Sequence, residues 1–359
     1  MDERKNQKGS DPFHSSCCPD EGHKSKRPWY RDGLFWAAAL TLGLWGASFV
    51  FPFLHPFRRA FIEYLRLIAW PVILGFLIGG VIDYYIPKEY ISKLLAARRK
   101  RTVLYAAGLG FLMSACSHGI LALSMELHKK GASGPAVVSF LLASPWANLP
   151  ITFLLIGFFG GKGILIIAAA LFVSISTGLI FQALDRKGWI EKNRHTAAIS
   201  EDFSVRRDMA RRWKERRLAR KGGQFETVKG IAKGIWDLVD MVLVWILIGM
   251  ILASLASAFV PAHIFHHFLG PSVLGLVVTM AAATVLEVCS EGTAPLAFEI
   301  YRQTGALGNA FAFLMGGVVT DYTEIGLLWS NLGKKTALWT LAVTLPQVFV
   351  LGLIFNALF

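Results

Sequence analysis

The sequence predicts an all-α polytopic membrane protein: two inverted repeats, each with three spans plus a re-entrant or broken helix, preceded by one extra N-terminal helix. Three observations carry that expectation. The 359 residues are 54% hydrophobic and 17% charged, with mean hydropathy +0.49, outside the usual range of soluble chains. Several uninterrupted apolar runs reach about 20 residues, the length that crosses a ~30 Å hydrocarbon core. The second half of the chain also echoes the first at an offset of 173 residues.

Residues 1–32 are polar and mixed in charge and read as a disordered cytoplasmic tail without a cleavable signal peptide. Residues 33–61 follow as an N-terminal transmembrane helix and loop, with Gly33 to Leu54 as an uncleaved anchor. Membrane repeat 1 spans 62–185, with apolar runs at 65–87, 102–127, 132–159 and 163–184. A basic cytoplasmic linker, 186–231, leads to membrane repeat 2 at 232–359, with runs at 235–261, 273–300, 306–329 and 336–359. The near-featureless periodicity of these runs suits helices that are apolar all round.

The repeat is clearest where 116–162 superposes on 289–335 without a gap, with 11 of 47 positions identical. Cys116/Cys289, Ser117/Ser290, Gly119/Gly292, Glu126/Glu299 and Lys162/Lys335 are among them, and Asn148 falls on Asp321. Loop charges choose the orientation of the halves. Segments that stay in the cytoplasm become basic, which puts Arg98 to Arg101 and the linker inside. Both lie inside only if one of the three intervening runs fails to cross. The best candidate is 102–129, interrupted by Ser114-Ala-Cys-Ser-His-Gly119, whose arms of ~13 residues are too short to span. Three crossings plus one hairpin invert the second repeat. The expected layout has a cytoplasmic N-terminus, seven spans and an external C-terminus. Arg58 and Arg59 fall outside, against the charge rule.

The net charge is +13, of which 186–229 supplies +8 through 14 Lys/Arg against 6 Asp/Glu. Membrane topology accounts for this bias, with anionic lipid contact as a secondary role. Nucleic acid is not an expected partner, because no folded reading module accompanies the basic run. Four cysteines are too few for a disulfide framework.

Candidate chemistry gathers at the hairpin tips and at a second break in each repeat, Ser144 to Pro150 and Gly316 to Asp321. Irregular backbone at membrane depth is tolerated where it lines a polar cavity, and broken helices at a repeat interface form the usual place for a transported substrate. The expected substrate-binding set is Cys116, Ser117, His118, Asn148, Cys289, Ser290, Glu291 and Asp321, with Glu287 and Glu324 as coupling or charge-compensating groups. Four carboxylates between 287 and 324 at membrane depth ask for a cation or a proton, since each charge costs at least ~2.5–3.5 kcal/mol to insert. Thiol and imidazole beside carboxylate suit a soft or borderline metal or a thiophilic metalloid. Against this stands ordinary packing, with the cysteines as small hydrophobes. His263, His266 and His267 have i, i+3, i+4 spacing for a metal, and Cys17 and Cys18, flanked by His14 and His23, form a second metal candidate. Both have bland alternatives, an exposed interfacial helix and a disordered tail. Glu126 and Glu299, close to Lys129 and Arg302, read as structural salt bridges.

The paired Cys-Ser-x-Gly tips, Lys-Lys-Gly-Ala-Ser-Gly at 129–134 and Ser-Pro-Trp-Ala-Asn-Leu-Pro at 144–150 resemble the YraQ/ArsP-type permease family of bacterial inner membranes over about 62–359. The resemblance implies a multi-pass exporter, in a family that includes members proposed to extrude trivalent organoarsenicals and others associated with copper or zinc. Many relatives carry a second thiol in the first tip, where this chain has His118, which shifts weight toward a mixed N/S/O site. The expected function is secondary-active export of a metal ion, a metalloid or a small thiophilic compound. No cofactor is expected, and no Walker-type phosphate loop is present for ATP. The rivals are an intramembrane thiol oxidoreductase using Cys116 and Cys289, which lacks Cys-x-x-Cys, and a non-transporting scaffold whose linker docks a partner. Membrane lipids are expected partners, and a homo-oligomer or a partner subunit stays open.

Overall fold

The computed structural model describes residues 33–85, 95, 100–113, 117–129, 131–193, 224–286 and 289–359, and among them every regular element is helical. The helices are α1 (Gly33–Val50), α2 (His55–Tyr85), α3 (Lys100–Leu112), α4 (Ser117–Lys129), α5 (Gly134–Ala147), α6 (Leu149–Phe159) and α7 (Gly161–Lys187). After the linker come α8 (Gln224–Phe259), α9 (Ala262–Leu269), α10 (Val273–Leu286), α11 (Ser290–Thr304), α12 (Leu307–Thr320), α13 (Tyr322–Asn331) and α14 (Lys334–Leu358). Four helices are long and apolar enough to cross a membrane, in α2, α7, α8 and α14. Counting each bent pair as one span gives up to seven, by length and composition.

Helix starts recur at the sequence offset. Lys100 and Val273, Ser117 and Ser290, Gly134 and Leu307, Leu149 and Tyr322, and Gly161 and Lys334 each lie 173 residues apart. Packing recurs with them: α3 lies against α5 and α7, as α10 lies against α12 and α14. Between the halves, α2 packs on α8, α5 on α12 and α7 on α14, each on its own counterpart, while α6 meets α11 and α13 meets α4.

Two counterpart pairs run antiparallel. Phe53, just before α2, lies 6.3 Å from Phe259 at the end of α8, whereas Gly80 near the end of α2 abuts Ile235 early in α8. Lys162 at the start of α7 lies over the ring of C-terminal Phe359, and Trp189 just beyond α7 stacks on Trp339 early in α14.

The apolar runs underestimate two helices. α2 begins ten residues before Leu65, and α8 eleven residues before Ile235. A helix has no reason to stop where hydrocarbon stops, because its backbone hydrogen bonds continue into the headgroup layer. These starts also precede the expected repeat boundaries at 62 and 232. The first run is shorter as a helix than expected. Pro52, which cannot continue the hydrogen-bond ladder, opens a 3-10 turn at Pro52–Leu54 after α1 ends at Val50.

Close helix approach depends on missing side chains, as in membrane interfaces generally. A Cβ on Gly249 of α8 would overlap the Gly292 carbonyl oxygen of α11, and one on Gly308 of α12 would overlap that of Gly352 in α14. Polar groups lock other crossings. The Asn309 amide donates to the carbonyls of Leu269 (2.9 Å) and Gly270 (3.0 Å) and to the Thr279 hydroxyl (3.0 Å), holding the 103° corner between α9 and α10.

One end of the bundle is tied by the start of the linker. Glu191 accepts hydrogen bonds from the Lys335 and Thr336 amides at 2.9 and 3.0 Å, capping α14, while Asn193 donates to the carbonyls of His128 and Ala132. Burial works to raise the Glu191 pKa, but the two amides and the Thr336 hydroxyl outweigh it and hold the carboxyl below its ordinary value of 4.5. The cap therefore contributes stability fully above that value and loses it as the pH falls through the lowered one.

Two measurements follow. Gly249→Ala should destabilise the protein by about 1–3 kcal/mol, read as a lower Tm in detergent, because the α8–α11 crossing must open; an unchanged Tm would contradict the crossing. Glu191→Gln should lower Tm at pH 7, and the difference from the native chain should shrink as the pH falls below 4.5 and through the lowered value.

Candidate functional site

The site is built at a helix break. Pro145 and Pro150 bracket Asn148, α5 and α6 meet there at 42°, and the Asn148 carbonyl oxygen Oδ1 accepts from the Ile151 amide at 2.9 Å to cap α6. The duplicated position repeats the device. α12 and α13 meet at 41°, and Asp321 Oδ1 accepts from the Thr323 amide at 2.9 Å while Oδ2 accepts from its hydroxyl at 2.6 Å.

The two breaks then diverge. The Asn148 amide reaches across to the second half and donates to Glu291 Oε1 at 3.3 Å. Oε2 of the same carboxylate accepts from the Cys289 thiol at 2.8 Å and the Ser290 hydroxyl at 2.9 Å. Asn148, Cys289 and Glu291 are each 1% exposed. Glu291 lies in the first turn of α11, and Asn148 begins α6, so the positive ends of two helices face one carboxylate. Gly292 presses α11 onto α8, which fixes this tip in place.

Asp321 does not join that cluster. Its carboxylate serves its own turn, and α13 packs instead against α4, the helix that follows the first tip. Glu324 is buried one turn further along α13. Cys116, the side chains of Ser117 and His118, Glu287, Cys17 and Cys18 lie outside the described residues. His263, His266 and His267 are exposed on the short helix α9. Among the described residues no group of three or more His, Cys, Asp and Glu side chains is gathered as a metal site.

Sequence reasoning missed the neighbours that packing brings in. A cavity of about 10 Å³ adjoins Ser290, with Trp146 and Met315 in its wall. Trp146 Nε1, and the Ser144 hydroxyl two residues before it, are buried without a hydrogen-bond partner among the described residues. A cavity of that size holds about one water. The only advance signal for Trp146 is its place between Pro145 and Asn148.

At the other end of α11, Glu299 is 0% exposed and accepts from Tyr64, Arg302 and Gln303, while Arg302 also pairs with Glu63 at 3.4 Å and contacts Ser257. The expected Glu299–Arg302 salt bridge is therefore present at 2.8 Å. Its counterpart Glu126 is exposed.

Fold and site together define a multi-pass helical membrane protein whose halves meet at a buried polar cluster. The chain belongs to the ArsP_1 family, described as predicted permeases, whose pattern matches residues 57–357. It is similar to "UPF0718 protein YcgR" of Bacillus subtilis, with 24% identity over 78% of this chain and 90% of that protein. "Putative permease Rv2963" of Mycobacterium tuberculosis is 27% identical over 76% of this chain and 69% of its own length. A Streptococcus mutans relative, "Putative two-component membrane permease complex subunit", is 20% identical over 72% of this chain and 80% of that protein. No solved structure matches.

The asymmetry between the breaks is measurable. Asn148→Ala removes a helix cap worth about 1 kcal/mol and also a donor to a buried carboxylate worth about 1.5–3 kcal/mol. Asp321→Ala removes a cap and a hydrogen bond from the half-buried Thr323 hydroxyl within its own turn, but no described contact to the other half. Thermal denaturation of the two variants should show the larger loss for Asn148→Ala, and equal losses would sink the bridging role.

Proposed function

We propose that this permease exports a metal ion, a metalloid or a small thiophilic compound by secondary-active transport, from a buried site between two inverted repeats. The observation that carries the reading is the Asn148–Glu291 hydrogen bond, which joins the broken helix of one half to the thiol-bearing tip of the other. A thiol, a hydroxyl and a carboxylate in adjacent positions, Cys289 to Glu291, offer the mixed soft and hard donors that such a substrate uses. Cys289, Ser290, Glu291 and Asn148 form the described half of the site. Asp321, with Cys116, Ser117 and His118, forms the other, supported by the packing of α13 on α4. Glu287 and Glu324 compensate charge around it.

The antiparallel pairing of α2 with α8 and α7 with α14 supports inversion, since counterpart helices in inverted repeats run in opposite directions. The repeats are proposed at 62–185 and 232–359, extended by the helix starts at His55 and Gln224. Lys129, Lys334 and the linker start gather at one end, which the charge rule assigns to the cytoplasm of a bacterial inner membrane. The printed name of the Streptococcus relative supports a partner subunit, which co-purification from the native membrane would reveal.

Cellular accumulation across a panel of soft metals and metalloids tests the site in a deletion strain complemented with each variant. Cys289→Ser and Glu291→Gln should each slow export of the true substrate by about tenfold, the loss of one interaction of ~1.4 kcal/mol. Full export by both variants would remove the site from the mechanism.

A further inference from the structure

The Lys-Lys-Gly-Ala-Ser-Gly run leads into α5, away from the Glu291 cluster, and it borders a cavity of about 220 Å³. Ser133, Gln182, Asp185, Arg186 and Lys192 line that cavity. Four features converge there. Ser133 is 7% exposed, makes no cap bond to α5, and its hydroxyl has no hydrogen-bond partner among the described residues. The Ser133 amide is used by Leu95 at 3.1 Å and its carbonyl by Val137 at 3.0 Å, so the loop is held while the hydroxyl stays available.

The first-turn amide of Gly134 lies at the positive end of α5 with no helical acceptor before it, and Pro135 after it has no N–H. A Cβ on Gly134 would meet nothing within 4 Å, so the backbone there is reachable. Across the cavity, the Arg186 guanidinium and the Lys192 ammonium supply two positive charges against the single Asp185 carboxylate.

We propose that this cavity binds a phosphate group, carried by the headgroup of an anionic membrane lipid. A phosphate oxygen accepts from the Ser133 hydroxyl and the Gly134 amide at the start of α5, while Arg186 and Lys192 supply the positive charge. Depth favours the lipid over a free anion. Trp189, half-exposed three residues after Arg186, stacks on Trp339 with Lys187 5.3 Å above its ring, an aromatic and basic pairing suited to the headgroup layer. Lys192, which lines the cavity, stands between Glu191 and Asn193, so an occupying headgroup would brace the joint between the halves. This inference does not depend on the identity of the transported substrate.

The test uses the full chain in neutral detergent, with Tm followed on titration with dihexanoyl phosphatidylglycerol, dihexanoyl phosphatidylcholine and inorganic phosphate. Phosphatidylglycerol should raise Tm saturably. Its half-saturating concentration should rise about fivefold in Arg186→Gln and in Lys192→Gln and fall about fivefold in Asp185→Asn, one surface charge each. The three side chains lie at the cavity rim, and monodisperse elution on size exclusion checks that each variant folds. A matching response to inorganic phosphate would keep the phosphate site and move its source to the aqueous phase. Identical phosphatidylglycerol curves for the native chain and all three variants would overturn the site.

Discussion

A polar group in hydrocarbon must find its partner inside the protein, and the arrangement around Asn148 follows from that constraint. Breaking a helix between Pro145 and Pro150 frees backbone amides and carbonyls at a depth where water is scarce. The Asn148 side chain answers twice: its carbonyl oxygen caps α6, and its amide nitrogen supplies a donor to Glu291. An aspartate would cap as well, as Asp321 does, but would have no N–H to offer. The difference between one amide and one carboxylate is what lets the first break bridge the halves and leaves the second turned on itself.

The scaffold recurs at the 173-residue offset, while the side chains at a few matched positions differ. The bends of 42° and 41° differ hardly at all, and the helix starts keep their spacing. Yet the residue after each break differs sharply: Leu149 is 7% exposed beneath α11, whereas Tyr322 is 82% exposed. The residue after the first break faces inward and the one after the second faces outward, although Glu324 one turn on is buried. On the proposed mechanism, that is the asymmetry expected of one state of a pair in which the two halves exchange roles.

Much of this was legible in the sequence, for identifiable reasons. The breaks announced themselves through proline and glycine in otherwise apolar runs. The Glu299–Arg302 pair was readable because i, i+3 neighbours share a helix face. Its third member, Tyr64, lies 235 residues away, and nothing local marks it. The same limit applies to the site. Asn148 and Glu291 were each singled out, but their pairing, and the separation of Asp321 from both, depends on which helix crosses which. That is set by Gly249 and Gly292, residues whose role is to have no side chain.

Those glycines also bear on how the halves could move apart. Where Gly249 admits the Gly292 carbonyl, α8 and α11 are in backbone contact, and sliding one past the other would force overlaps along the crossing. α11 should therefore travel with α8. Its polar link to the first half at the site is of another kind, one 3.3 Å hydrogen bond from a single side chain to a carboxylate that keeps two other donors, beside the packing of α6 on α11. Separation there exchanges one donor for water or substrate and leaves both helix caps intact. At the far end of α11, by contrast, Glu299 and Arg302 tie the helix to Tyr64 and Glu63 on α2 and to Ser257 on α8. On the proposed mechanism, a rocking motion that opens the site would pivot about the anchored end of α11 and bring Cys289, Ser290 and Glu291 out together as one unit.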